Sequence, residues 1–256
     1  MTDELIFEVA DGIGRVTFNR PAQRNALTWA MYDGLVTAIE RANADDGIHA
    51  LVLTGAGGRA FAAGTDIGQF RAFSSPEDAI GYEQRIDGVL NVLEACRVPT
   101  VAAIAGACTG GGAAIAACCD LRIAAEGARF GFPIAKTLGN CLSMANLARL
   151  SSLIGAARVK EVIFTARLIE AEEARQLGLV GEVVAPDALL ARADELARTV
   201  ASHAPLTLRA TKMQLRKLRG EVPEDEQLIL MCYQSADFRE GMDAFLSKRP
   251  PQWRGA

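Results

Sequence analysis

Hydrophobic residues fall along this chain in short runs, separated by polar, glycine-bearing or proline-bearing breaks. Leu5 to Val9 and Gly14 to Phe18 alternate around Asp11-Gly12, which predicts an antiparallel hairpin. Asn19-Arg20-Pro21 ends the second strand. Thr28 then stands where it can cap a helix whose Met31, Leu35 and Ile39 recur at helical spacing to about Asn43. Ala50 to Thr54 (ALVLT) reads as a buried strand, and GAGGRAFAAGTD after it as a loop. Ser75-Pro76-Glu77-Asp78 is a helix start: a capping serine, proline at the first helical position and acids in the first turn. Ile86, Val89, Leu90 and Leu93 carry that helix's apolar face until Arg97-Val98-Pro99 stops it.

The stretch from Pro99 to Asp120 is the least polar of all. Val101 to Ala105 is an unbroken small-apolar run, expected of a strand buried on both faces. Gly106 breaks it, and Gly110, Gly111 and Gly112 precede an alanine-rich segment that reads as a buried helix. Glycines at such a turn let a ligand approach the backbone and leave free N–H groups at a positive helix end. Close helix packing, with glycine simply making room, is the other reading of the triplet.

Further on, Leu121 to Ala124 and Ala128 to Phe132 are expected strands, and Asn146 to Ile154 and Ala156 to Ala166 expected helices. Ala171 to Leu177 is a short helix with Gly178 as its C-terminal cap, and Val180 to Val184 returns as a strand. From Pro186 the pattern is nearly all helical: Leu189 to His203, Thr207 to Arg219 and Glu224 to Cys232. Strands mixed with helices give an α/β class, read as a core over residues 1–195 and a helical C-terminal region over 196–256.

Composition narrows the function. The chain has 256 residues, is 50% hydrophobic and carries a net charge of −4, enough for one large core and no footprint for nucleic acid or an anionic membrane. No apolar run is long enough to span a bilayer. The acidic start MTDELIFEVADG lacks a signal-peptide pattern, and the six cysteines form no CxxC pair. Reduced thiols in a cytoplasmic protein are the expectation. With His49 and His203 the only histidines, a metal site is not expected.

Familiar phosphate and hydrolase motifs fail in detail. Gly58 to Thr65 has neither the spacing nor the lysine of a Walker A loop, and no G-x-G-x-x-G or G-x-S-x-G occurs in the relevant context. What remains are two glycine-bearing turns, each near a buried strand: Ala62-Ala63-Gly64-Thr65-Asp66 and Thr109-Gly110-Gly111-Gly112. Two backbone N–H groups aimed at one oxygen make an oxyanion hole.

At this point the chain resembles the crotonase (enoyl-CoA hydratase/isomerase) superfamily. The resemblance rests on Asn19-Arg20-Pro21 with Asn25-Ala26-Leu27, on AFAAGTDI (60–67) and on PTVAAIAGACTGGG (99–112). CDLRIAAEGARFGFP (119–133) and FREGMDAFLSKRPPQW (238–253) extend it over almost the whole length. It implies a spiral of ββα units with two nearly perpendicular sheets, and a C-terminal helical region that builds homotrimers, often paired into hexamers. It further implies that the N–H groups of Thr65 and Gly111 hold the carbonyl of an acyl-CoA thioester. Arg24 and Ala26 would lie along the CoA phosphates and adenine, with Ala62, Asp66 and Ile67 lining the pantetheine and adenine path. Phe245 and Lys248 would reach the CoA of the same or a neighbouring subunit. Coenzyme A enters as part of the substrate, with no separate cofactor. For Arg24 and Lys248 the alternative is solvated surface charge.

The departures from the family pattern matter more. Its hydratases carry one glutamate two residues after the glycine triplet and another directly after the proline of F-x-x-P; here these positions are Ala114 and Ile134. With Phe132 they imply an apolar acyl pocket. Neither can activate water or hold a proton, and each positioned group is typically worth about 10²–10⁴-fold. Asn140 and Cys141 lie where some relatives place a catalytic group. Cys141 could be a nucleophile or a buried structural thiol. Tyr82 and Glu83 lie in a region that sometimes contributes catalytic groups, or form an exposed helix face. Asp66 is expected to serve its loop. The resulting reading is a lyase or isomerase acting through a thioester enolate. Its alternatives are a catalytically silent acyl-CoA-binding protein and a decarboxylase-like enzyme. A hydrolase of related fold would need a histidine that is not in place.

Overall fold

A computed structural model describes residues 3–219, 230 and 233–252, save the side chain of Ala72. The expected hairpin forms from β1 (Leu5–Ala10) and β2 (Ile13–Phe18). Asp11 and Gly12 sit at positive φ in its turn, as a two-residue connection requires. Thr28 caps α1 (Trp29–Ala44) by accepting from the Met31 N–H. β3 (Ala50–Gly55) follows.

The stretch read as loop after it contains β4 (Ala60–Ala62). Ser75 and Asp78 then close a reciprocal capping box on α2 (Pro76–Glu94). β5 (Thr100–Ile104) is buried on both faces as expected. Beyond Gly106 the chain makes β6 (Ala107–Thr109) rather than a plain turn, and then α3 (Gly111–Cys118). Strands of three residues are too short to show alternation, which is why β4 and β6 escape a periodicity reading.

β7 (Leu121–Ala125), β8 (Arg129–Gly131) and α4 (Ile134–Thr137) lead to α5 (Met144–Thr165), interrupted at Gly155 where two helices were expected. β9 (Ile169–Glu170), α6 (Ala171–Gln176) and β10 (Glu182–Val184) complete the strands. α7 (Leu189–Ala201), α8 (Pro205–Leu218) and α9 (Ala236–Leu246) follow. α7 runs through the expected boundary at residue 195, which is therefore no break in secondary structure. Most of the helix expected over Glu224–Cys232 lies outside the described residues.

The strands form a six-stranded sheet in the order β1-β2-β3-β5-β7-β10 and a four-stranded one in the order β4-β6-β8-β9. Apart from the β1–β2 and β8–β9 pairs, every pairing is parallel. Successive turns of the chain place one strand in the large sheet, the next in the small sheet, and then a helix: β3-β4-α2, β5-β6-α3, β7-β8-α4. That is the expected ββα spiral. In the large sheet Leu51, Leu53, Ala102 and Ile104 face the main core with α1, α2 and α3. Their alternates Val52, Val101, Ala103 and Ile123 face Leu189, Ala193 and Ala197 of α7. Both faces are covered, so these strands carry almost no polar residue.

Candidate active site

Two turns meet at the small sheet. The first, after β4, is fastened by the segment before α1. The Leu27 N–H donates to the Gly64 carbonyl (2.8 Å), the Asp66 N–H to the Leu27 carbonyl (2.8 Å), and the Ala63 N–H to the Arg24 carbonyl (3.0 Å). Asn25, fully buried and in the left-handed region, donates to the carbonyls of Ala60 and Ala56 (2.7 and 3.0 Å) and accepts from the Arg20 N–H (3.0 Å). This explains why asparagine stands there: it tolerates positive φ and can satisfy three backbone groups. Asp66 accepts from the Gly68 N–H (3.0 Å) and pairs with Arg20 (2.9 Å), serving its loop as expected.

The second turn lies between β6 and α3. Gly110, at φ 52 and ψ −122, occupies backbone space that only glycine enters readily. A methyl on Gly112 would lie 2.2 Å from the Ala62 carbonyl oxygen, and one on Gly110 would lie 3.4 Å from the Gly64 Cα. On Gly111 it would lie 2.4 Å from the Tyr32 hydroxyl and 3.1 Å from the Thr65 hydroxyl. The triplet therefore brings the second turn against the first. Among the described residues, the N–H groups of Thr65 and Gly111 donate to no acceptor.

Around these turns lies a chain of hydroxyls. The Thr65 hydroxyl contacts the hydroxyls of Tyr32 (2.8 Å) and Tyr82 (3.0 Å). Next to Tyr82 on α2, Glu83 is buried, only 4% exposed, and Tyr233 donates its hydroxyl hydrogen to the Glu83 Oε1 (2.5 Å). Asn140 Nδ2 donates in turn to the Tyr233 oxygen (3.1 Å), while its Oδ1 is buried with no partner among the described residues. The protein has three tyrosines in all, and all three hydroxyls gather here. Burial pushes each well above the ordinary phenol value, and the charge of Glu83 adds to the push. None is a phenolate at neutral pH.

Tyr82 and Glu83 are thus not an exposed helix face. Tyr82 is half-buried against Trp29, Phe70 and Phe73, with ring centroids 5.7, 4.8 and 5.8 Å away. Tyr32 and Tyr233 went unnoticed in the sequence; the signal was the scarcity of tyrosine. Cys141 is half-buried beside the Phe70–Phe238 cluster. Burial pushes the Cys119 thiol up to about 12, and it raises Cys96, Cys108 and Cys118 as well.

Ala114, Phe132 and Ile134 are all buried. Phe132 lines an apolar cavity with Ala113, Leu150 and Val162, in which Ala114 and Ile134 take no part. Arg24 is exposed, Ala26 and Ile67 are half-buried, and Ala62 is buried beneath Gly112. Phe245 and Lys248 lie exposed at the far end of α9. None of the described helices is long and apolar enough to cross a membrane.

The profile of the enoyl-CoA hydratase/isomerase family matches residues 8–256. The short-chain-enoyl-CoA hydratase of Clostridium acetobutylicum is 35% identical over 257 residues, covering 96% of each chain. Among solved structures, an enoyl-CoA hydratase/carnithine racemase from Magnetospirillum magneticum superposes with TM-score 0.80 at 36% identity, over 100% of this chain and 97% of that one. A methylmalonyl-CoA decarboxylase in complex with 2-nitronate-propionyl-CoA superposes with TM-score 0.90 at 27% identity, over 99% of both chains. With β3-β4-α2 and its sequels forming the ββα spiral and a family match from Glu8 to the last residue, the chain belongs to the enoyl-CoA hydratase/isomerase family and has the crotonase fold.

Proposed function

We propose that this protein binds an acyl-CoA thioester and polarises its carbonyl between the N–H groups of Thr65 and Gly111, acting as a lyase or isomerase through the thioester enolate. The observation that carries this reading is the pair of abutting turns whose two N–H groups have no acceptor among the described residues. Gly111 opens α3, so the positive end of that helix faces the same oxygen. One such donor is typically worth about 2.7–4 kcal/mol of transition-state stabilisation.

Arg24, Ala26, Ala62, Asp66 and Ile67 are assigned to the CoA moiety, as are Phe245 and Lys248 of the same or a neighbouring subunit. A homotrimer or hexamer working in the cytoplasm is part of this proposal. The acyl chain takes the side of Ala114, Phe132 and Ile134.

Decarboxylation is a second reading, favoured by two observations. The methylmalonyl-CoA decarboxylase matches the fold with TM-score 0.90, and positions 114 and 134 hold no acid or base. Loss of carbon dioxide supplies the electrons of the enolate without a base.

The test is α-proton exchange of butyryl-CoA in D₂O followed by NMR, with binding measured by calorimetry. Binding with exchange supports the enolate reading. Binding without exchange leaves decarboxylation or silent binding, which a panel of malonyl-type thioesters separates. Absence of binding refutes the assignment of the turns.

A further inference from the structure

If the turns hold a thioester carbonyl, the enolate chemistry needs a group to take and return a proton, and Ala114 and Ile134 cannot. Among the described residues, the buried polar and charged side chains are Asn25, Thr54, Glu83, Thr100, Ser143, Asn146 and Arg149, and Glu83 is the one acid in that set. It stands next to Tyr82, whose hydroxyl touches Thr65 of the first turn at 3.0 Å. Its carboxylate is also close enough to Tyr32, the other partner of Thr65, for its charge to be felt there.

The hydrogen bonds around Glu83 have a direction. Tyr233 donates to the Glu83 Oε1 at 2.5 Å and accepts from Asn140 Nδ2 at 3.1 Å. The phenol is therefore held between a donor and an acceptor drawn from elements far apart in sequence. The Asn140 Oδ1 is buried without a partner among the described residues, an exception in a folded interior, where buried polar atoms are as a rule hydrogen-bonded. A hydrogen-bond donor arriving with the substrate, such as a water or a hydroxyl, would satisfy it.

We propose that Glu83, Tyr233 and Asn140 form the proton-handling unit of this site, replacing the carboxylates absent at positions 114 and 134. Tyr233 meets the acyl α-carbon. The Cα–H bond breaks and its electron pair moves onto the thioester oxygen between Thr65 and Gly111. The released proton binds to the Tyr233 oxygen as the original hydroxyl proton passes to the Glu83 Oε1. Tyrosine is neutral before and after, and Glu83 ends protonated. Burial and the neighbouring carboxylate disfavour a free phenolate, so the two transfers are paired. The reverse transfer returns a proton, or a solvent deuteron after exchange at Glu83, to carbon. Asn140 orients the phenol through Nδ2 and holds the water or hydroxyl of a hydrated substrate through Oδ1.

This rests on the reading of the two turns as a carbonyl site, and the experiment separates the two ideas. Wild type, Glu83→Gln, Glu83→Asp and Tyr233→Phe are compared for butyryl-CoA binding by calorimetry and for α-proton exchange at saturating ligand, with thermal melting as the folding check. Glu83→Gln and Tyr233→Phe are expected to bind within about threefold of wild type while exchange falls by about 10²-fold or more. Glu83→Asp is expected to recover part of the rate, which a purely structural role would not produce. Exchange at the wild-type rate in folded Glu83→Gln overturns the relay. So does wild-type binding without exchange, although the carbonyl site would stand. Wild type that binds no CoA thioester removes the carbonyl site and the relay with it. If Glu83→Gln does not fold, Tyr233→Phe, which keeps the ring and its packing, decides alone.

Discussion

The site has two halves built in different ways. The glycine turns present backbone N–H groups, and their side chains matter mainly by being small. The cluster beyond them consists of side chains alone: Tyr32 and Thr65, Tyr82 and Glu83, Asn140 and Tyr233. In the first half each turn is a few consecutive residues, the first fastened to the segment before α1 and the second set between β6 and α3. The second half is assembled from α1, α2, the segment before α5 and the segment before α9, with Tyr233 and Glu83 separated by 150 positions. A backbone device survives most side-chain changes nearby, whereas a side-chain device can be rebuilt from other parts of the fold. On the proposed reading, this is how the two glycine turns can stay in use in a chain that carries Ala114 and Ile134.

The largest effect should come from closing the backbone half. Gly111→Ala places a methyl 2.4 Å from the Tyr32 hydroxyl and 3.1 Å from the Thr65 hydroxyl, so these side chains or the Gly111 backbone must shift. Misplacing one oxyanion donor typically costs about 10²–10³ in rate. Exchange or turnover should fall by that factor while the melting temperature drops only modestly. Wild-type exchange in this variant would mean that Gly111 is not a donor.

Thr65→Val tests whether the halves can be separated. The backbone N–H stays, but the hydroxyl linking Tyr32 and Tyr82 is lost. The buried Tyr32 and the half-buried Tyr82 then each lose a hydroxyl partner, at about 1–3 kcal/mol of stability. The expectation is a clear loss of stability in denaturant, with exchange kept within about tenfold of wild type. A loss as large as that of Gly111→Ala would show that the threonine side chain, and not only its N–H, serves the carbonyl.

How much of this was legible follows from the same division. The glycine turns, the Asn25 segment and the main strands could be read because each leaves a mark in consecutive residues. β4 and β6 could not, having three residues each. Glu83 left a mark that was easy to miss: Ala79, Glu83, Ile86, Leu90 and Leu93 follow the helical period, so an acid sits on the buried stripe of α2. Tyr233 left only the rarity of tyrosine, because nothing local says which surface a residue before α9 will cover. A Gly between two helical halves, at position 155, was visible as a break, but its conformation was not.

Glu94, at the other end of α2, sharpens the contrast between a half-buried acid held by arginines and Glu83. Burial raises its pKa, but hydrogen bonds and charges from Arg219 and Arg149 outweigh that and leave it below the usual 4.5. A carboxyl whose native value is lowered stabilises the fold above its unfolded value, and that contribution disappears as pH falls through the native value. Stability should therefore decline with acid below about pH 4.5. Glu94→Gln should flatten this limb when unfolding is followed against pH. An unchanged limb would mean that other carboxyls dominate it.

The smallest effect expected is at Gly155, which sets a second kind of glycine against Gly111. Gly111 has an ordinary backbone and is needed for space, because its Cβ position is already occupied by Tyr32. Gly155 is the reverse: nothing lies within 4 Å of where its Cβ would be, yet φ is 76 and ψ is 150 at the break inside α5. A side chain there meets no neighbour and costs only backbone strain, typically about 1–3 kcal/mol. Gly155→Ala should lower the melting temperature by a few degrees, roughly 2–4 °C per kcal/mol for a chain of this size, and leave exchange at the wild-type rate. A large loss of exchange would mean that α5 positions the site more tightly than its contacts indicate, and would blur the line between glycines that shape the fold and glycines that shape the chemistry.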